Sequence, residues 1–491
     1  MRSMYSYVDS ILAKLFGGSS VTCSTTTHSH PNVLRFQQSL LVLIHIHFLN
    51  HLLEHSTHWD RDDPCRAVLN LKKDLPKLFK KLGYMSNHFF ESSLLATKVF
   101  FQTNTFHVLP KDLPQLCSFA SLFKADPKSI FLHVDKTFNV EDCISYAPVM
   151  SGLELELKSH NDLQFVNNPS LFFPGVKELH VRICRSFSMV SIESLKANTT
   201  VTSISLRNNS INEEGIAALA DLLKVNTTIK SIDLGMNSLG AESARALAEV
   251  LKVNTTLQSI NLWKNSFRAE GAKVLARSLK VNTTLTCCNL GWNNIGAEGA
   301  REFAKTLTVN NTVTTFSFFN TSLGIEGFRA LAMSLKVNTT ITTIDLSVNS
   351  LGPEGAEALA EALIVNTTIT SIALEMNYIG HEGVSALAKA LKVNNKVTFI
   401  NLKGNYIGVD GASALAEALK VNTKVKTIVL TDNFIKDEGA SALAEALKVN
   451  STITRINLKF NSIGDEGGRA LAETLKVNST IEIEGVNYLD L

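Results

Sequence analysis

From residue 203 to residue 482 the chain consists of ten consecutive 28-residue segments with no insertion between them, and no other feature restricts its fold as strongly. The unit from Ser231, SIDLGMNSLGAESARALAEVLKVNTTLQ, is followed from Ser259 by SINLWKNSFRAEGAKVLARSLKVNTTLT, and the same register holds for starts at 203, 287, 315, 343, 371, 399, 427 and 455. A strict period of this length marks a solenoid, because each unit has an apolar side that it can bury only against its neighbours. Ile232, Leu234 and Leu239, with Leu257 just before the next unit, fit a short strand leading into a turn. The segment AESARALAEVLK has the 3.6-residue periodicity of a helix, with Ala on its tight faces. Stacking such units predicts an α/β solenoid: a parallel sheet inside, at about 4.8 Å per unit, and helices side by side outside, curving the array into a horseshoe.

The chain upstream follows other rules. Nine of its ten prolines lie at or before Pro174, with Pro353 the exception, and twelve of its thirteen histidines lie at or before His180, with His381 the exception. Between these regimes the repeat decays: Leu179-His-Val181, Leu155-Glu-Leu157 and Leu132-His-Val134 precede the regular array at spacings of 25, 24 and 23 residues. The predicted organisation is therefore an N-terminal region over 1–127, atypical capping repeats over 128–202, ten regular repeats over 203–482 and a C-terminal end over 483–491. LNLKKDLPKLFKKLG and ESSLLATKVFF suggest helices in the N-terminal region, which is read as mainly helical or partly disordered.

The pattern Ile229-Lys-Ser-Ile232-Asp-Leu234-Gly-Met-Asn237-Ser-Leu239 resembles the leucine-rich-repeat signature LxxLxLxxNxL. In its 28-residue form it is similar to the ribonuclease-inhibitor-like subtype, which also occurs in the repeat regions of NOD-like receptors and in Ran GTPase-activating proteins. The resemblance implies that the Asn at the seventh position of the unit (Asn209, Asn237, Asn265, Asn293, Asn349, Asn377, Asn405, Asn433 and Asn461) forms a buried ladder bonded to turn backbone. Thr321 interrupts the series, which predicts a locally altered turn in the fifth unit.

An acidic residue opens every helix, from Glu214 to Glu466, and a Lys closes most of them, matching the helix macrodipole. The Asn of the recurring VNTT segment, such as Asn226 or Asn254, is expected just past the helix end in the left-handed conformation. Several of these are formal glycosylation sequons, but capping is the reading adopted, since residues 1–20 lack the apolar core of a secretory signal.

With 47 Lys+Arg against 45 Asp+Glu, the composition gives no support for a nucleic-acid partner, and seven scattered Cys do not form a disulfide framework. The most apolar run, Leu40–Leu53, is shorter than the roughly twenty residues of a membrane span and contains His45, His47 and His51. His51-Leu-Leu-Glu54-His55 matches the HxxEH zinc-peptidase pattern, but four histidines at helical spacing (47, 51, 55, 58) equally describe one polar helix face. The peptidases with this motif need a larger fold than the non-repeat residues supply. No phosphate-binding loop and no nucleophile motif is present, so neither catalysis nor a cofactor or metal is expected, and the nucleotide-driven oligomerisation of NOD-like receptors has no basis here.

The residues between the inward aliphatics escape the repeat and point to the concave face. There the sequence places Arg207, Trp263, Lys264, Trp292, Phe319, Glu375, Lys403, Asp432 and Lys459, with a second aromatic row of Tyr378, Tyr406 and Phe434 one residue after the ladder Asn. Interface anchors are enriched in Trp, Tyr and Arg, so the expected function is a cytoplasmic, non-enzymatic scaffold, monomeric in isolation, binding a protein partner on the concave face and engaging neither nucleic acid nor membrane. The alternatives are a regulator similar to Ran GTPase-activating proteins, weakened by the absence of an acidic run at the end of the chain, a ubiquitin-ligase substrate receptor, or a cytoskeletal component.

Overall fold

The computed structural model describes residues 193–485 and, upstream, the backbone of five strands: Thr22–Ser24, Thr105–Val108, Ser129–Val134, Met150–Leu157 and Glu178–Ile183. Contacts divide the chain into two compact units, one of Met1–Arg185 with Glu193–Ser205, the other of Ser186–Ile192 with Leu206–Leu491. The suggested helices of residues 1–127, the His51–His55 pattern and the Leu40–Leu53 run lie outside the described residues.

In the first unit, Thr22–Ser24 pairs antiparallel with Thr105–Val108, and parallel pairing then continues through the next three strands to Ser203–Ser205. Leu179 pairs with Leu153, and Leu153 with Leu132. The alignment read from the sequence, which set Leu155 opposite Leu179, is thus two residues out. Alternation of period two cannot detect such a shift, because it leaves the pattern unchanged.

The second unit is an α/β solenoid in which ten helices, from Glu213–Val225 to Asp465–Val477, alternate with parallel three-residue strands, from Ser231–Asp233 to Glu482–Glu484. Strands pair with the one 28 residues on, as in Ser231 opposite Ser259 and Ile428 opposite Ile456, until the last, where the offset is 27 and Ile456 faces Ile483. Ile232 and Leu234 are buried toward the helices while Ser231 and Asp233 stay half-exposed on the other face. The strand stops after three residues because the sixth and eighth positions turn left-handed, with φ of 59° at Met236 and 57° at Ser238. Bonds between units nevertheless continue past it: Leu234 N–H donates to Asn261 O and Met236 N–H to Trp263 O, both at 2.8 Å.

Behind the sheet, Ala244, Leu247, Ala248 and Leu251 are each no more than 2% exposed. Helices stack closely because small residues meet at their starts. A Cβ on Gly383 would lie 2.6 Å from Ile379 Cγ2 and 2.9 Å from Ala356 Cβ of the preceding helix, so a methyl group has no room. No helix among the described residues is long and apolar enough to cross a membrane.

Two Asn ladders bind the units together. In the first, Asn405 Oδ1 accepts from Asn377 N–H at 2.9 Å, while its Nδ2 donates to Leu374 O at 2.8 Å and Leu402 O at 2.9 Å. Thr321 breaks this ladder without altering the turn: Asn320, Ser322 and Gly324 keep the left-handed φ of Trp292, Asn294 and Gly296 one unit earlier. The expected local change is therefore one of hydrogen bonding, not of backbone path, since Thr321 presents a hydroxyl where the other units present an amide.

The second ladder corrects another expectation. The VNTT Asn is extended, with φ −73° and ψ 129° at both Asn226 and Asn254, not left-handed. Asn254 Oδ1 accepts from Thr256 N–H at 3.0 Å and Leu257 N–H at 2.7 Å, and its Nδ2 donates to Leu223 O of the preceding unit at 2.6 Å. The side chain closes the turn itself, and a left-handed backbone is not needed to satisfy the helix end.

Candidate protein-binding surface

The fifth position of the unit follows the strand on the sheet face turned away from the helices. Across four units it reads Arg207, Gly235, Trp263, Gly291, alternating large with absent side chains. Neighbouring units lie about 4.8 Å apart, too close for two large side chains to lie flat on successive positions. Trp263 accordingly lies over Gly291, where a Cβ would come within 2.8 Å of its Cδ1. Arg207 reaches across Gly235 to place its guanidinium 4.8 Å from the centre of the Trp263 ring.

Trp292, at the sixth position, meets Trp263 edge to face with centroids 6.3 Å apart, and Lys264 Nζ lies 5.7 Å from one ring and 5.9 Å from the other. This first group is thus a cluster in which the chain's own cations occupy the indole faces. Trp263 is half-buried within it and Trp292 keeps an exposed edge. Phe319, which the sequence placed in line with the two tryptophans, is half-buried and makes no ring contact with them.

The charged residues of the same row disperse. Lys403 Nζ bonds Glu375 Oε1 at 2.6 Å, and Lys459 Nζ bonds Glu484 Oε2 at 2.6 Å, joining Arg455 on the same carboxylate. These contacts hold Glu484 below the usual carboxylate range, through Lys459 first and Arg455 second. Asp432 is exposed and has no ion-pair partner among the described residues.

Asp432 belongs instead with the second aromatic row. Tyr378 stacks on Tyr406 at 5.8 Å with planes 10° apart, and Tyr406 on Phe434 at 5.7 Å with planes 16° apart. The three are 60, 55 and 50% exposed. Their backbones are left-handed, with φ of 56°, 58° and 56°. At this position Ser210, Ser238, Ser322, Ser350 and Ser462 serve other units, and a left-handed residue with a Cβ costs roughly 1–2 kcal/mol. Serine bears the same cost, and exposed stacking between rings contributes about 0.5–1.5 kcal/mol per pair.

Beside the row runs a cleft of about 590 Å³, lined by Val348, Met376, Gly404, Tyr378, Tyr406, Phe434 and Asp432 together with polar groups of the two preceding units. Gly404 keeps it open in part: Met376 lies across it, its Cγ 3.1 Å from where a Cβ would stand. Both rows are among the residues expected from the sequence. The signal that separates them, Gly alternating at the fifth position, has meaning only when residues 28 apart are side by side.

A family model described as Leucine Rich repeat matches nine times, at residues 197–220, 225–248, 253–276, 281–304, 337–360, 365–388, 393–416, 421–444 and 449–472. The unit passed over is the one carrying Thr321. No curated protein matches the sequence. Among solved structures, the leucine-rich repeat-containing protein LegL7 from Legionella pneumophila is 19% identical, covering 62% of this chain and 98% of that one, with a TM-score of 0.41. The TLR13–ssRNA13 complex is 14% identical over 73% of this chain and 48% of its own, with a TM-score of 0.43. The tropomodulin C-terminal domain of Caenorhabditis elegans is 17% identical over 29% of this chain and 88% of its own, with a TM-score of 0.27. With strand, turn, Asn ladder and helix recurring every 28 residues and nine matches to one repeat model between residues 197 and 472, the chain belongs to the leucine-rich-repeat family.

Proposed function

We propose that this chain is a cytoplasmic, non-enzymatic interaction scaffold of the ribonuclease-inhibitor-like subtype, whose repeat array holds a protein partner. The partner seats on the Tyr378–Tyr406–Phe434 row and the cleft beside it, with the exposed edge of Trp292 and the open sheet face as a second contact. One observation carries this reading. Three successive units carry a large aromatic at a left-handed position where other units carry serine, and each ring is half or more exposed. A preformed aromatic surface on a rigid array loses little entropy on binding, and aromatic anchors dominate protein interfaces.

The test is recovery of partners from the native cell on the full chain, on Tyr378→Ser/Tyr406→Ser/Phe434→Ser and on Trp263→Ala/Trp292→Ala. The triple variant installs what other units carry, so hydrogen exchange of the array should be unchanged. A partner lost from the folded triple variant supports the reading, and its identity separates GTPase regulation, ubiquitin-ligase substrate capture and cytoskeletal assembly. Identical recovery on all three proteins refutes it.

A further inference from the structure

The two aromatic groups differ in what covers their rings. Arg207 and Lys264 lie over the indoles of Trp263 and Trp292, whereas among the described residues no cation lies over Tyr378, Tyr406 or Phe434. Neither phenol hydroxyl has a hydrogen-bond partner among those residues.

The charges bordering the rows differ in the same sense. In the helices of the second to fifth repeats the first-turn carboxylate has a cation, although Glu213 and Glu214 of the first have none among the described residues: Glu242 pairs with Arg245, Glu270 with Lys273 at 2.9 Å, Glu298 with Lys273 at 2.5 Å and Glu326 with Arg329 at 3.3 Å. Lys273 holds the Glu298 carboxyl below its usual range. In the units bordering the second row the equivalent carboxylates are Glu354, Glu382, Asp410 and Glu438, and the residue three further on is Glu357, Ser385, Ser413 or Ser441. None of these four carboxylates has an ion pair among the described residues.

Glu382, Asp410 and Glu438 each follow an aromatic of the row by four residues. A helix N-terminus offsets only about half a negative charge, so this border keeps a negative surplus, increased by Asp432. Within residues 378–382, 406–410 and 434–438 the basic residues are His381 and Lys436, and Lys403, at the fifth position of the middle unit, is paired with Glu375.

We propose that the segment recognised by the second row is basic and apolar: a stretch of protein chain whose Arg or Lys side chains lie over the Tyr378, Tyr406 and Phe434 rings and reach the unpaired carboxylates, while its apolar side chains enter the cleft beside Val348 and Met376. This inference rests on the binding role proposed above and names the chemistry of the partner. It is charge complementarity of a simple kind, in which the partner supplies over the second row the cations that Arg207 and Lys264 supply over the first.

The experiment uses the full chain and three fluorescein-labelled twelve-residue synthetic peptides, alternating Leu with Arg, with Gln or with Glu, followed by fluorescence anisotropy at low and high salt. The Arg peptide should bind at least tenfold tighter than the Gln peptide and lose affinity with salt, and the Glu peptide should not bind. Tyr378→Ser/Tyr406→Ser/Phe434→Ser should weaken the Arg peptide at least tenfold although every carboxylate remains. Glu382→Gln/Asp410→Asn/Glu438→Gln should weaken it although every ring remains.

Binding of the Arg peptide that is indifferent to the triple serine variant would overturn the proposal, as would binding of no peptide to the folded protein. Equal binding of all three peptides, lost in the serine variant, would also overturn it while leaving the row as a binding site. Failure of the binding role itself is distinct: native partners are then retained by the serine variant, whatever the peptides do.

Discussion

Thr321→Asn should stabilise the array, and the structure indicates by how much and where. In a regular unit the ladder Asn both accepts and donates across the unit boundary: Asn377 Oδ1 takes Asn349 N–H at 2.8 Å, and Asn377 Nδ2 reaches Leu346 O at 3.0 Å in the preceding unit. Thr321 is fully buried and uses its hydroxyl within the fifth and sixth units, donating to Phe318 O at 2.7 Å and lying 3.2 Å from Asn349 Oδ1. Asn293 N–H, which the register aims at residue 321, consequently lacks an acceptor among the described residues. An unpaired buried N–H costs about 1–3 kcal/mol, and the substitution gives up the weaker hydroxyl contact to Asn349 and a methyl group. A net local gain of about 1–2 kcal/mol follows, or roughly five- to thirtyfold in protection. The assay is hydrogen-exchange mass spectrometry on peptides spanning 288–296, because one global unfolding energy is poorly defined for a repeat array. Unchanged or faster exchange of this segment in a folded Thr321→Asn protein would refute the view that the ladder acts through inter-unit satisfaction of buried N–H groups.

Three further outcomes are expected. Gly291→Ala places a Cβ 2.8 Å from Trp263 Cδ1 and 3.1 Å from Phe319 O, so Trp263 should be displaced from its seat, visible as a shift in tryptophan emission with the helices intact by circular dichroism. Glu484 is held below the pKa of an unfolded glutamate, so its stabilisation of the last strand is complete above that unfolded value and is lost as pH falls through the depressed one. The protection of residues 455–484, taken as the exchange rate relative to that of an unstructured chain at the same pH, should therefore fall on acidification in the wild type, and Glu484→Gln should remove much of that dependence. Burial pushes the Cys288 thiol well up, whereas Cys287 is half-buried, so brief alkylation of the folded protein at neutral pH followed by peptide mapping should mark Cys287 far ahead of Cys288. Equal labelling of the two would mean that the strand opens at that unit.

The sequence by itself determined the second unit's architecture, because a 28-residue period reports which side chains are buried in every copy at once. Ile232, Leu234, Leu247 and Leu251 are legible as core, and Asn237 as a ladder residue, from recurrence alone. It did not determine the path of the VNTT turn, since an Asn at a helix end suits either a left-handed backbone or a side chain that closes the turn itself, and only the bonds of Asn254 to Thr256, Leu257 and Leu223 distinguish them. Nor did it determine which aromatic row is open. Trp263 and Trp292 drew attention as isolated large residues, but their exposure depends on Arg207, Lys264 and Gly291, which lie within the same cluster although up to 56 residues from Trp263 in sequence. The exposure of Tyr378, Tyr406 and Phe434, and the lack of an ion pair at the carboxylates four residues after them, are likewise properties of the tertiary structure. A period reveals what every unit shares, whereas a binding surface arises from what neighbouring units do differently, and that depends on which side chains the stacking places about 4.8 Å apart.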